Sequence, residues 1–362
     1  MPPRIRIPPI DRVYHPGAKF SLFEPTTIPS VPDRLFNNDV FEPYSDVNFE
    51  QSDRARIVDT PVEMCVEHDV AYDKSLPALF SIVLNEKLSV GRQKHAAQVW
   101  SAHAAGKDDK LLAVRLYDPL YYASPDMDNY TDRFALRDRL VATEHAVYTR
   151  LQHLQGETLP RFRGVFVAEV PACGKAPARY IYAIVLEYVP GQDIRQLMEA
   201  GDGEKTCLLH KAALIDAVAK IFHVIVQVGV HLDDTADRNT IIQLEPIPAA
   251  QNFCSCITCP LRNLLDIDHT LLQATGETRP ALPASVASKY APRIVLIDME
   301  HVRLIPVAKQ PPNLASCQRH VAGRWGNFPW MVDAFDELKE LFPASDILEN
   351  QLADLDEEPE NV

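Results

Sequence analysis

The stretch Gly229-Val-His-Leu-Asp-Asp-Thr-Ala-Asp-Arg-Asn-Thr-Ile-Ile242 decides the fold, because it joins a long apolar segment to a short one. The preceding segment, 207–228, is apolar on nearly all faces of a helix, which predicts a buried helix. The stretch ends in a short strand, and its loop carries acidic side chains and the carboxamide of Asn239. Such a set can supply a base and an oxygen ligand for a hard cation such as magnesium. A solvated acidic turn is the alternative.

A further acidic residue ends a run of bulky aliphatic residues, Arg293-Ile-Val-Leu-Ile-Asp298. The run predicts a buried strand, since short continuous aliphatic runs are typical of strands covered on both faces. An aspartate at the end of a buried strand either points into a site or caps a neighbouring element. Asp298 is therefore a candidate site residue.

Another carboxylate falls within the apolar face of a helix predicted over about 130–154. This face repeats at helical spacing through Leu140, Glu144, Val147, Leu151 and Leu154. Because an unpaired buried carboxylate is costly, Glu144 should have a cationic partner. Arg115, on the strand just before the helix, is the nearest candidate. A glutamate at the helix edge that reaches solvent is the alternative.

The order of the remaining segments suggests a leader followed by a strand-rich half and a helical half. Prolines crowd the start of the chain and predict an extended or partly disordered leader. Three strands, the helix of 130–154 and two more strands follow, and beyond Gly191 the pattern turns helical. The predicted boundaries are a proline-rich leader at 1–75, an N-terminal lobe at 76–190, a C-terminal lobe at 191–345 with an insertion at 245–292, and an acidic tail at 346–362.

Four motifs carry a resemblance to a known superfamily: Val114-Arg-Leu-Tyr-Asp-Pro119, Thr143-Glu-His-Ala-Val-Tyr-Thr-Arg-Leu151, Leu159-Pro-Arg-Phe-Arg-Gly164 and Ile184-Val-Leu-Glu-Tyr-Val-Pro-Gly191. With the Asp-x4-Asn loop and the strand that ends in aspartate, their order resembles that of the protein-kinase-like superfamily. The likeness covers about 80–305 and is to the divergent fungal kinase-like proteins near the aminoglycoside-phosphotransferase branch. It implies an α+β, bilobal protein-kinase-like fold, with a small antiparallel β-sheet N-lobe, a C-helix and a mainly α-helical, truncated C-lobe.

The resemblance also implies an activity and a set of site residues. Asp234 would orient or deprotonate the acceptor hydroxyl, while Asn239 and Asp298 would hold magnesium. The nucleotide-binding residues implied are Gly91, Val99, Arg115, Glu144, Glu187 and Val189. The implied reaction transfers the γ-phosphate of ATP to a hydroxyl or amine of a small-molecule or protein acceptor, with ATP and Mg as cofactors.

Departures from the superfamily pattern favour an alternative function. Arg115 stands where the strand lysine is expected, and arginine does not place a point charge as lysine does. The segment expected to cover the phosphates has one glycine, Gly91, and Leu232 stands where the catalytic loop has histidine. A catalytically inactive module that binds a partner or a nucleotide is therefore the second hypothesis. An unrelated α+β binding protein is the third.

The bulk composition excludes several classes of function. The 362 residues carry a formal net charge of −14 without a basic stretch, which argues against a nucleic-acid or anionic-membrane surface. No apolar run approaches the roughly 20 residues that span a bilayer. The start of the chain lacks the apolar region of a secretory signal, and the 7 cysteines do not form a disulfide pattern. A cytoplasmic or nuclear protein is the resulting expectation.

The insertion contains a cluster of thiols, Cys254-Ser-Cys256-Ile-Thr-Cys259. Three closely spaced thiols could bind zinc, with His269 as a candidate fourth ligand. Zinc sites normally show clean Cys-x2-Cys or His pairs, which this segment lacks. A reduced and partly buried loop is the alternative.

Overall fold

The structure, a computed structural model, describes the residues 10–31, 68–88, 97–106, 110–121, 133–173, 176–200, 205–232, 235–243, 259, 293–299, 302–305, 312–326, 328, 330–331, 334 and 338. The chain divides into two compact units. The first, called the barrel unit here, comprises Met1–Gly156 and Pro160–Tyr188. The second, called the helical unit, comprises Glu157–Leu159 and Val189–Val362.

The strands and helices are numbered separately in chain order. The strands are β1 (Lys19–Phe23), β2 (Phe80–Lys87), β3 (Gln98–Ala104), β4 (Leu111–Tyr117), β5 (Phe162–Val170), β6 (Arg179–Glu187), β7 (Gln192–Asp193), β8 (Val230–Leu232), β9 (Thr240–Gln243), β10 (Arg293–Leu296) and β11 (Val302–Leu304). The α-helices are α1 (Ile10–Val13), α2 (Arg133–Arg150), α3 (Ile194–Ala200), α4 (Leu208–Gln227) and α5 (Leu314–Trp325). A 3-10 turn at Asp237–Asn239 precedes β9.

Six strands of the barrel unit form a closed antiparallel barrel in the order β1-β2-β3-β4-β6-β5, counted over the described residues. Strand β1 closes it, because it pairs with strands on both sides. Ser21 lies opposite Ser81 of β2 and opposite Glu169 of β5. Closure leaves none of the six strands with an unpaired edge that could recruit another chain.

The core of the barrel follows from alternation along the strands. In β1, Phe20 and Leu22 face inward and are almost fully buried, while Lys19 is exposed. They pack in one hydrophobic cluster with Ile82 and Leu84 of β2 and with aliphatic residues of the other strands. Burial of each such side chain contributes about 1.5–3 kcal/mol to folding. The apolar faces of the strands thus stabilise the closed sheet.

The prediction of an α+β, bilobal protein-kinase-like fold, with a C-helix and a helical C-lobe, is wrong. The strand-rich part is a closed six-stranded antiparallel barrel, and the part of the chain that the structure describes holds five α-helices. The physical reason lies in β1. Lys19–Phe23 belongs to the segment assigned to the leader, yet it pairs along both of its edges and turns an open sheet into a barrel.

The helical unit combines two small sheets with helices. Strand β9 pairs with β7 and β10, and β8 pairs with β11. Helix α4 is apolar on most faces and mostly buried. It packs against α5, where Gln318 Nε2 donates to Asp216 Oδ1 at 2.6 Å and the rings of Phe222 and His320 stack. Across the described residues, none of the helices combines the length and the apolar character needed to cross a membrane.

Candidate functional site

The turn before β9 and the end of β10 meet at one end of a two-stranded ladder. Thr240, the first residue of β9, lies opposite Leu296, the last residue of β10. The residues that flank this pair are therefore neighbours: the backbone N–H of Ile297 donates to the carbonyl oxygen of Asn239 at 2.8 Å. Asn239 and Asp298 are far apart in the sequence, but the ladder brings their backbones to the same edge.

Asp298 has an unusual backbone conformation. Its φ of 67° lies in the left-handed region, where it is alone among the non-glycine residues that the structure describes. Such conformations store of order 1–3 kcal/mol of strain and cluster at functional sites. The side chain of Asp298 is partly exposed, whereas Asn239 is 6% exposed. Asp298 is therefore less enclosed than Asn239, which ends the turn before β9.

The turn before Asn239 is held by a residue that the sequence did not single out. The carboxylate of Asp237 is buried, and its Oδ1 accepts from Nε and Nη2 of Arg195 at 3.0 and 2.7 Å. Its Oδ2 accepts from Nε1 of Trp330 at 3.3 Å, and the backbone N–H of Arg238 donates to Oδ1 at 2.9 Å. Charge-assisted bonds of this kind are stronger than neutral ones. Asp237 therefore positions Asn239.

Two of the predicted site residues lie outside the described residues. These are Asp234, the predicted catalytic aspartate, and Gly91, the predicted phosphate-loop glycine. The roles assigned to both stay predictions.

The barrel unit places Arg115 and Glu144 in contact. Nη1 of Arg115, on β4, lies 2.7 Å from Oε1 of Glu144, on α2. The same Oε1 accepts a hydrogen bond from the hydroxyl of Tyr117 at 2.8 Å. Both charged side chains are buried, Glu144 completely. Val99 of β3 pairs directly across the ladder from Arg115.

The remaining two predicted nucleotide-binding residues follow one another closely in the chain but belong to different units. Glu187 ends β6 in the barrel unit; its Oε2 accepts from the backbone N–H of Arg161 at 3.0 Å, and its own N–H donates to the Arg161 carbonyl at 2.8 Å. Val189 lies in the helical unit and is 6% exposed. The Glu187 carboxylate therefore stabilises the start of β5.

A cluster of two thiols and an imidazole lies elsewhere in the helical unit. Nδ1 of His210 is 3.1 Å from Sγ of Cys207 and 3.4 Å from Sγ of Cys259, and neither thiol is in a disulfide. Of the zinc ligands considered from the sequence, Cys254, Cys256 and His269 lie outside the described residues. Cys207 and His210 are not among the ligands expected from the sequence, although both residue types bind zinc and they stand three positions apart at the start of a helix.

The cluster changes the chemistry of Cys259. Hydrogen bonding from Cys207, together with His210, lowers the pKa of the Cys259 thiol to about 4, although burial acts in the opposite direction. By contrast, burial alone raises the pKa of the Cys317 thiol to about 12. The lowered pKa favours the thiolate of Cys259, which is the form that binds metals.

No protein-family model matches the chain, and a search of curated proteins also finds no match.

Proposed function

We propose that the chain is a magnesium-dependent phosphotransferase that moves the γ-phosphate of ATP to a hydroxyl or amine acceptor. The observation that carries the proposal is the meeting of Asn239 and Asp298 at one end of the β9–β10 ladder. The proposal concerns the chemistry of these residues and does not depend on a kinase-like fold. The acceptor is a small molecule or a protein, and the net charge of −14 disfavours nucleic acid.

The donor set fits the cation that the reaction needs. Asp298 offers a carboxylate and Asn239 a carboxamide, and magnesium prefers such oxygen ligands. Magnesium, when bound, neutralises charge on the nucleotide phosphates. The backbone of Asp298 lies in the left-handed region, and Asp237 anchors the turn that ends in Asn239 through Arg195 and Trp330. The hydrogen bond from Ile297 to Asn239 joins the two backbone segments that carry the proposed ligands.

The proposed step displaces ADP by the acceptor. The acceptor oxygen forms a bond to the γ-phosphorus, and the bond between this phosphorus and the β–γ bridging oxygen breaks. The acceptor proton passes to the carboxylate of Asp234, which comes five positions before Asn239 in the same loop. Asp234 takes this role by its place in the sequence, as a general base.

The residues expected to bind the nucleotide add no structural support to this proposal. The charge of Arg115 is compensated by Glu144, whose Oε1 lies 2.7 Å from its Nη1. The nucleotide-binding roles of Gly91, Val99, Arg115, Glu144, Glu187 and Val189 stay predictions that rest on the sequence resemblance.

The experiment measures ADP release with magnesium and a panel of hydroxyl and amine acceptors. Asp298→Asn should lower kcat/KM by on the order of a hundredfold, the size typical of a lost group that stabilises transition-state charge. Glu199→Gln is the matched control, because it makes the same carboxylate-to-amide change at an exposed position of α3. Full activity in Asp298→Asn would overturn the proposal.

A second candidate function, a catalytically inactive nucleotide-binding module, is favoured by one observation. The cation at the lysine position is Arg115, and it is 4% exposed with its Nη1 on Glu144. Glu144 compensates the charge of Arg115, and an arginine does not place a point charge as a lysine does. Stabilisation by ATP with magnesium, without ADP release for any acceptor, would select this candidate.

A further inference from the structure

We propose that Cys207, His210 and Cys259 bind a zinc ion, at a site separate from Asn239 and Asp298. Their donor atoms, two sulfurs and one imidazole nitrogen, all lie within 4.8 Å of one another. Zinc binds such ligands at about 2.0–2.3 Å, so the corners of its tetrahedron lie roughly 3.5–3.8 Å apart. The sulfur-to-nitrogen distances of 3.1 and 3.4 Å need only small side-chain movements to reach this spacing.

The backbone fixes two of the three ligands. Cys207 is the N-cap of α4 and has an extended conformation, with φ −68° and ψ 156°. The backbone N–H groups of His210 and Lys211 both donate to its carbonyl oxygen at 3.1 Å. One helical turn therefore holds the thiol of Cys207 and the imidazole of His210 on the same side. The N-terminus of a helix also stabilises a thiolate.

Charge and burial explain why a cation suits this cluster. His210 is 1% exposed and Cys259 is 5% exposed, so two of the three donors are shielded from water, while Cys207 is half-buried. Thiolates buried without a counter-charge would be costly. Two thiolates neutralise one divalent cation, and the assembled site can be buried without net charge. The fourth corner of the tetrahedron is left to a donor outside these three residues.

The ligand chemistry separates this site from the proposed magnesium site. Thiolate and imidazole ligands select zinc, whereas magnesium prefers oxygen. A metal here would join the start of α4 to a point in the 245–292 insertion, because Cys259 lies 49 positions beyond His210. It would act as a crosslink that stabilises the folded chain, with no part in phosphate chemistry.

The first experiment uses the full chain under reducing conditions. After incubation with zinc and exhaustive dialysis, elemental analysis should find a stoichiometric amount of metal. Cobalt in place of zinc should give the near-ultraviolet thiolate-to-metal absorption and the intense visible bands of a tetrahedral site. Removal of the metal by a chelator should lower Tm, since a ligand bound to the folded state stabilises it. Failure to retain metal, or cobalt spectra without thiolate absorption, would overturn the proposal.

The second experiment identifies the ligands. Cys207→Ser, His210→Ala and Cys259→Ser should each weaken zinc binding at least about tenfold. Cys317→Ala, another buried thiol of this unit, and His223→Gln, on the same helix, are the matched controls and should retain zinc. The site would be overturned if zinc binding persisted in Cys207→Ser and in His210→Ala but was lost in Cys254→Ser. If a variant does not fold, the cobalt spectrum of the unaltered chain still decides whether thiolates bind the metal.

Discussion

At the scale of single residues, the charges buried in the barrel unit stabilise the fold only while they remain together. Oε1 of Glu144 receives both the guanidinium of Arg115 and the hydroxyl of Tyr117. Removing one partner from such a pair leaves the other charge buried and uncompensated, which is far more damaging than losing an exposed ion pair. The free energy of unfolding should therefore respond strongly to each partner.

We expect Arg115→Met to lower the free energy of unfolding by about 3–5 kcal/mol, because Glu144 stays buried without its cation. Tyr117→Phe should lower it by about 1.5–3 kcal/mol, the usual contribution of a hydrogen bond to a charged group. Urea denaturation measures both. The double variant Arg115→Met with Glu144→Gln is the control and should lose less than Arg115→Met alone. A loss below about 1 kcal/mol in Arg115→Met would show that the pair is not buried as described.

The stability of the barrel unit should depend on pH through Asp69. Burial raises the pKa of its carboxyl above the ordinary 3.8, although Oδ1 accepts the backbone N–H of Tyr180 at 2.8 Å. Between the ordinary and the raised pKa, the folded state binds more protons than the unfolded chain. The contribution of Asp69 to stability is therefore present at low pH and is lost as pH rises through that window.

Asp69→Asn removes this titration and keeps an oxygen acceptor for Tyr180. Relative to the unaltered chain, the variant should gain stability as pH rises above 3.8 and reach a plateau beyond the raised pKa. Urea unfolding at a series of pH values measures the difference. A stability difference that does not change with pH would contradict the assignment.

Single residues also show what the sequence could and could not predict about the site. Helical spacing placed Glu144 in an apolar face, and the need for a counter-charge pointed to Arg115. The end of a buried aliphatic strand pointed to Asp298. The role of Asp237 cannot be predicted from the sequence, because its partners, Arg195 and Trp330, lie 42 and 93 positions away. No local pattern carries information about such contacts.

At the scale of elements, β1 has the largest effect on the architecture. It is a strand of five residues, yet it pairs with β2 and with β5 and so closes the barrel. Its inward residues, Phe20 and Leu22, enter the core formed by the other strands. The barrel unit should therefore depend on β1 more than its length suggests.

Leu22→Ala should lower the free energy of unfolding by about 2–5 kcal/mol, because Leu22 is fully buried and its loss leaves a cavity. Lys19→Ala, an exposed position of the same strand, should change it by less than about 0.5 kcal/mol. Urea denaturation of the two variants is the measurement. Equal effects at both positions would show that β1 is not part of the barrel.

The same element explains why the sequence led to the wrong fold. The helices α2 and α4 and the strands β2 to β6 have periodicities long enough to be predicted from the sequence. Lys19-Phe-Ser-Leu-Phe23 alternates as a strand does, but it is short and stands among prolines. Its partner in β5 lies nearly 150 positions away at Glu169, and strand pairing over such distances leaves no local signal. The sequence therefore predicts a small antiparallel β-sheet where the strands form a closed barrel.

At the scale of the whole molecule, an acidic chain is proposed to bind an acidic ligand. The net charge of −14 repels a nucleotide at long range, so binding must rest on local groups. Asn239 and Asp298 would act through magnesium. ATP binding should therefore depend on the metal far more than on ionic steering.

Magnesium-dependent ATP binding can be measured by calorimetric titration of the full chain with ATP, with and without magnesium. Binding should require magnesium, and it should weaken at least about tenfold, or 1.4 kcal/mol, in Asp298→Asn but not in Glu199→Gln. Absence of ATP binding in the unaltered chain, or an affinity that neither magnesium nor Asp298→Asn changes, would contradict it.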